Sequence, residues 1–362
     1  MKKQFIAAGF VGFFFLFPVK GLAANFSNIY IFGDSLSDTG NIFNFTQNLE
    51  NQLPSVPPSP PYFNGRFSNN KIWVDYVGET LNLNPIPFSE NPNIFNQSIN
   101  FAVGGASSGF GNAVVPNVPL PGVLEQVSLF TQTFLSTNPQ VDPNALYAVW
   151  GGGNDYVFGT DPNPINTVQN LSNALNLLAT FGAKNIMVFN LPDLGRTPLA
   201  LATMGLAPIL TDITVAHNTQ LATSLDIFKS NQPDINVIDV DVFSLFNQVA
   251  DNPRKFGFTN VAIPCVVGSL ISINSVCDIE QQNDFLFFDS VHPTTRAHSL
   301  VADAALLALE SKSVPEPGAV LGMLAVGALG AAGVLKRQQK QSAFTQANPV
   351  LVGQSSHTMV EN

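Results

Sequence analysis

Asn28-Ile29-Tyr30-Ile31-Phe32-Gly33-Asp34-Ser35-Leu36-Ser37-Asp38-Thr39-Gly40-Asn41 sets an apolar run directly before a Gly-Asp-Ser turn. Residues 28–32 read as a short strand, and the chain beyond them alternates between two periodicities. Residues 71–81, 124–135 and 207–229 read as helices. So does 167–181, where Leu171, Ala174, Leu175 and Leu178 share one face. Residues 97–102, 145–150, 185–190 and 235–240 read as strands, and 294–312 as a closing helix. Strands separated by helices predict the α/β class, with a parallel sheet covered on both faces. In open sheets of this kind, ligands bind beyond the carboxyl ends of the strands. The chemistry-bearing residues follow the strands directly.

A serine on the turn after the first strand, opened by Gly33, sits where an exposed nucleophile is presented. Its hydroxyl needs a base within hydrogen-bond reach. Of the four histidines, His292 in Asp289-Ser290-Val291-His292-Pro293 fits best. Asp289, three residues upstream, can fix its tautomer and leave the other ring nitrogen for Ser35. His217 and His298 fall within helices and read as core or surface residues, and His357 lies in the tail. Acyl transfer also needs donors for an oxyanion. The glycines of Asn100-Phe101-Ala102-Val103-Gly104-Gly105-Ala106 let a backbone N–H approach substrate. In Gly151-Gly152-Gly153-Asn154-Asp155 the Asn154 amide is a second donor. Asp34, Asp38 and Asp155 are expected to fix local turns.

A competing nucleophile is Ser107, in the G-x-S-x-G pattern of residues 105–109. That pattern requires a helix after the serine, and Phe110 to Pro116 make a poor one. The Pro-rich stretch 51–64 and residues 114–121 read as irregular loops that either overhang a site or, as the plainer reading, lie on the surface.

With these blocks in this order, residues 25–311 resemble the GDSL esterase/lipases of the SGNH hydrolase superfamily. FGDSLSDTGN matches the first family block and puts the nucleophile at Ser35. NFAVGGA puts the backbone donor at Gly105, and GGGND the side-chain donor at Asn154. DSVHP puts the acid and base at Asp289 and His292. With these roles, the N–H of Ser35 is expected to complete the oxyanion hole. The resemblance implies a three-layer α/β/α fold around a central, mainly parallel sheet. It also implies ester hydrolysis through an acyl-enzyme, without metal or organic cofactor. Asn64-Gly65-Arg66-Phe67-Ser68-Asn69, followed by Trp73, is similar to a further family pattern and makes Arg66 a candidate for substrate contact. A lipid ester, a small soluble ester and an acetylated glycan all fit as substrate. Two other readings use the same residues or scaffold: an acyltransferase, and a non-catalytic surface or matrix adhesion protein.

Composition narrows the alternatives. The chain of 362 residues has 15 Lys and Arg against 25 Asp and Glu, a net charge of −10. So acidic a chain does not suit nucleic acid, which needs clustered cations to displace phosphate counterions. Two cysteines and four histidines supply too few ligands for zinc-finger or iron–sulfur sites.

Both ends read as addresses. Lys2 and Lys3, the apolar run to Pro18 and Gly21-Leu22-Ala23-Ala24 make residues 1–24 a secretory signal. Residues 25–313 form the hydrolase domain. Residues 314–340 hold Val314-Pro315-Glu316-Pro317, an uncharged run to Leu335, then Lys336-Arg337-Gln338-Gln339-Lys340. This segment resembles a PEP-CTERM sorting signal, which implies processing by an exosortase. A membrane anchor is the alternative, because residues 341–362 continue as a polar tail. The expectation is export to the cell envelope or extracellular matrix, with transient or permanent membrane contact through this segment. In that oxidising setting Cys265 and Cys277 can close a short loop, or remain two thiols.

Overall fold

The computed structural model describes residues 25–47, 55–90, 97–115, 118–135, 140–159 and 162–313. The chain divides into two units, residues 1–313 and 314–362, and every described residue belongs to the first. The signal expected at 1–24, the segment expected at 314–340, the tail 341–362 and His357 lie outside the described residues. Among the described residues, no helix is long and apolar enough to cross a membrane.

Strand β1 (Ile29–Gly33) is followed by helices α1 (Asn41–Gln47) and α2 (Trp73–Leu81), then two-residue strands β2 (Ile86–Pro87) and β3 (Ile99–Asn100). Helix α3 (Val123–Leu135) leads to β4 (Leu146–Trp150), the short helix α4 (Gly153–Val157) and α5 (Pro164–Thr180). After β5 (Asn185–Phe189) come α6 (Pro198–Ala202) and α7 (Leu206–Asn231), then β6 (Asn236–Val240) and α8 (Val242–Asp251). A hairpin, β7 (Val266–Ser269) and β8 (Ser272–Val276), precedes α9 (Thr295–Ser313).

The central sheet runs β2-β3-β1-β4-β5-β6, and every neighbouring pair is parallel. Side chains alternate across each strand, so two cores form. Tyr30, Phe32, Tyr147, Val149, Ile186 and Val188 face α3, α5 and α7. Ile29, Ile31, Leu146, Ala148, Met187 and Phe189 face α2, α8 and α9. The result is three layers, α/β/α. All five residues of β1 and of β4 are buried, which is why both read as unbroken apolar runs rather than alternating ones. Each large apolar side chain so buried contributes roughly 1.5–3 kcal/mol.

From β1 the chain passes to the edge strand β2, comes back to β3 beside β1, and then crosses to place β4 on the other side of β1. That reversal opens a crevice at the carboxyl ends of β1 and β4, where such sheets bind ligands. The two strands end level, Gly33 opposite Trp150. A Cβ on Gly33 would lie 2.7 Å from the Trp150 carbonyl oxygen, so only glycine lets the strands close there.

Candidate active site

Ser35 lies two residues past β1 on a tight turn. The Asp34 carbonyl accepts the N–H groups of Ser37 and Asp38, and the Asp34 carboxylate accepts that of Leu36 at 3.0 Å. From α3, Gln126 clamps the turn's base, accepting the Gly33 N–H and donating to its carbonyl, both at 2.9 Å. His292 Nε2 lies 2.8 Å from Ser35 Oγ, and His292 Nδ1 lies 2.7 Å from Asp289 Oδ2. All three residues are buried. Residues 257 positions apart thus meet in one hydrogen-bonded line.

The segment carrying Asp289 and His292 folds on itself. Asp289 Oδ1 accepts the N–H groups of Val291 at 2.9 Å and His292 at 2.8 Å. Oδ2 accepts the Tyr62 hydroxyl at 2.7 Å besides the imidazole. Burial pushes the Asp289 carboxyl up, but the adjacent His292 and these N–H donors outweigh it and hold it below the ordinary carboxylate range. Asp289 therefore stays ionised beside the ring. Burial pushes Asp34 up to about 6, with the Leu36 N–H and His292 pulling down and Asp155 pushing up.

Gly105 follows β3 with φ +78°, a conformation that favours glycine. A Cβ there would sit 2.6 Å from Asn112 Oδ1. Among the described residues, no group accepts the N–H of Ser35 or of Gly105. The Asn154 amide, on α4, donates one hydrogen to the Ala106 carbonyl at 2.9 Å, which leaves its second N–H for a ligand. A small apolar cleft of about 50 Å³ touches Ser35, His292 and Asn154, with Leu36, Phe158 and Phe287 among its walls.

Three expectations need correction. Arg66 is committed to the fold: its guanidinium forks onto Asp75 at 2.7 and 2.8 Å and donates to the Thr39 and Asn64 carbonyls. Asp38 and Asp155 do more than fix local turns. Asp38 accepts from Gly104 N–H, and Asp155 accepts from both the N–H and hydroxyl of Ser108. The Pro-rich stretch is not wholly a surface loop, because Tyr62 is buried against Asp289. Ser107 donates to the Phe110 and Gly111 carbonyls. His217 is buried, its Nδ1 on the Tyr156 hydroxyl and its Nε2 without a partner, and His298 Nδ1 is likewise buried and unpartnered. The Cys265 and Cys277 sulfurs are bonded, with Cα atoms 5.0 Å apart.

The model of the GDSL-like lipase/acylhydrolase family matches residues 29–305. The chain belongs to that family. Over 329 residues it is 27% identical to a phosphatidylcholine-sterol acyltransferase of Aeromonas hydrophila, covering 79% of this chain and 91% of that one. It is 29% identical to a thermolabile hemolysin of Vibrio parahaemolyticus, covering 77% of this chain but 63% of the relative. A GDSL esterase/lipase of Arabidopsis thaliana is 27% identical, over 77% of this chain and 88% of that one. The Aeromonas relative is named an acyltransferase and the Arabidopsis relative an esterase/lipase, in keeping with a family of lipases and acylhydrolases.

Proposed function

We propose that this chain is an exported serine ester hydrolase acting on short acyl esters. The observation that carries the reading is the line Ser35 Oγ, His292 Nε2, His292 Nδ1, Asp289 Oδ2, with steps of 2.8 and 2.7 Å. Ser35 attacks the ester carbonyl while His292 takes its proton, and Asp289 steadies the imidazolium. The developing oxyanion is met by the N–H groups of Ser35 and Gly105 and by the Asn154 amide. His292 then protonates the leaving alcohol, and water repeats the sequence on the acyl-enzyme. None of these steps draws on a metal or cofactor.

The cleft's apolar walls suit an acyl group and its small volume suits a short one, which favours small esters and acetylated glycans over long-chain lipids. Export is supported by the character of residues 1–24 and by the bonded cysteine pair. We extend the proposal to residues 314–340 as a PEP-CTERM-like segment, processed by an exosortase or kept as an anchor, which puts the enzyme at the cell envelope or matrix.

The test is hydrolysis of p-nitrophenyl esters from acetate to octanoate, together with acetylated glycans. Highest kcat/KM at two to four acyl carbons supports the reading. A maximum at eight contradicts the short-acyl part, and no hydrolysis of any ester contradicts the whole. The acyltransferase name of the Aeromonas relative favours a second reading, transfer to an alcohol other than water. Products formed with a sugar or sterol acceptor present separate the two.

A further inference from the structure

The Pro-rich stretch carries a residue that the steps above leave unused. Tyr62 is 3% exposed, and its hydroxyl donates to Asp289 Oδ2 at 2.7 Å. That oxygen also accepts His292 Nδ1 at the same distance. The Tyr62 ring is fixed edge-on against Phe288, 5.1 Å between centroids, and against Phe67 at 6.4 Å. Phe67 in turn packs on the His292 ring at 4.8 Å. Behind Tyr62 lies the disulfide-closed hairpin, whose Val266 N–H pairs with the Phe288 carbonyl, one residue before Asp289.

We infer that Tyr62 is a positioning residue that sets the orientation of Asp289 and moderates its hold on the His292 imidazolium. The physical argument is competition for one oxygen. A phenol that donates to Oδ2 draws charge from the atom that stabilises the imidazolium. It also holds the carboxylate through the oxygen other than the one that accepts the Val291 and His292 N–H groups. Burial and the adjacent Asp289 carboxylate both push the Tyr62 phenol well above its ordinary range, so it remains a donor at every working pH.

The other groups facing this pair are few. Asp34 reaches His292 from the turn after β1, Asp155 acts on Asp34 from α4, and His298 faces His292 from α9. Residues 266–276 of the hairpin contribute no charged or titratable side chain. Tyr62 is the one neighbour that touches the shared oxygen besides His292 itself, among the described residues.

The inference rests on the proposed roles of Ser35, His292 and Asp289, and its test reads something a packing role would not move. In the full chain, kcat/KM of a short p-nitrophenyl ester is followed against pH for wild type and Tyr62→Phe, which keeps the ring and removes the donor. Without the phenol the carboxylate holds the imidazolium more strongly. The acid limb then moves to higher pH by roughly half to one unit. The change falls on kcat rather than KM, since Tyr62 touches no substrate. A fluorotyrosine placed at position 62 is a stronger donor, and it moves the limb to lower pH even where Tyr62→Phe fails to fold. Limbs that superimpose on wild type in both proteins overturn the inference. Loss of turnover in Ser35→Ala alongside unmoved limbs leaves the hydrolase reading standing and removes only Tyr62 from it. Turnover surviving in Ser35→Ala removes both.

Discussion

The Asp38 carboxylate accepts the Gly104 N–H at 2.8 Å, tying the turn after β1 to the turn after β3. Ser35 stands on the first turn and Gly105 on the second, so one buried carboxylate sets the spacing between proposed nucleophile and proposed oxyanion donor. The same group accepts from Gly40 at 2.7 Å, Asn41 at 2.6 Å and Ile42 at 3.1 Å, which caps α1. Burial pushes Asp38 up to about 6 against the pull of these four N–H donors.

Asp38→Asn replaces one acceptor oxygen by a donor that faces N–H groups. The expected loss is about 3 kcal/mol of stability, read by urea denaturation. Because Gly104 is released, kcat falls while KM changes little. Unchanged stability would show that this carboxylate does not hold the two turns.

Asn154→Ala removes a donor whose second N–H has no acceptor among the described residues. A drop in kcat on the order of 10²–10³ is expected, with KM nearly constant. The check is steady-state kinetics on a short ester. A drop confined to KM would assign Asn154 to ground-state binding instead.

The pH dependence of stability has an identifiable source in His217. Burial pulls its imidazole from 6.5 down to about 4. The unfolded chain therefore takes up a proton that the folded chain refuses. Stability from this group is complete above about 6.5 and is lost as pH falls toward 4. Asp34 and Asp38, both raised, act in the opposite direction, so the wild-type curve alone does not isolate the histidine. A comparison of wild type with His217→Asn at pH 7.5 and pH 5 does. Wild type should lose about 2 kcal/mol more than the variant between the two. Equal losses would mean that His217 is not held neutral.

The Cys265–Cys277 bond closes the hairpin that backs Tyr62 and pairs with residues 287 and 288. Replacing both cysteines by serine should cost about 3 kcal/mol. It should also lower kcat, because the segment leading into Asp289 loses its neighbour. Thermal unfolding and turnover, each with and without reductant, check this. Wild type treated with reductant should approach the variant, and the variant should not respond.

What was legible in the sequence was local. Residues 29–33 and 146–150 are buried on both faces, and such strands announce themselves as apolar runs. α5 showed its face through Leu171, Ala174, Leu175 and Leu178. α8 was missed although its signals are present. Asp241 caps it by accepting the Ser244 N–H, and Val242, Phe246 and Val249 bury one side. Tyr62 had no comparable signal. Its partner lies 227 residues away, and an aromatic among prolines has no periodicity that reveals which face is buried. Gln126 is similar, since its two bonds to Gly33 span 93 residues. Motif spacing marked the residues proposed to react, while the groups that hold them are set by tertiary packing.

The central claim is that the Ser35 hydroxyl is the one activated by His292. Mass spectrometry of the protein after a fluorophosphonate probe tests it most directly. The account predicts a single adduct on the peptide carrying Ser35, absent in Ser35→Ala and retained in Ser107→Ala. An adduct on Ser107, or full labelling that survives Ser35→Ala, would contradict it.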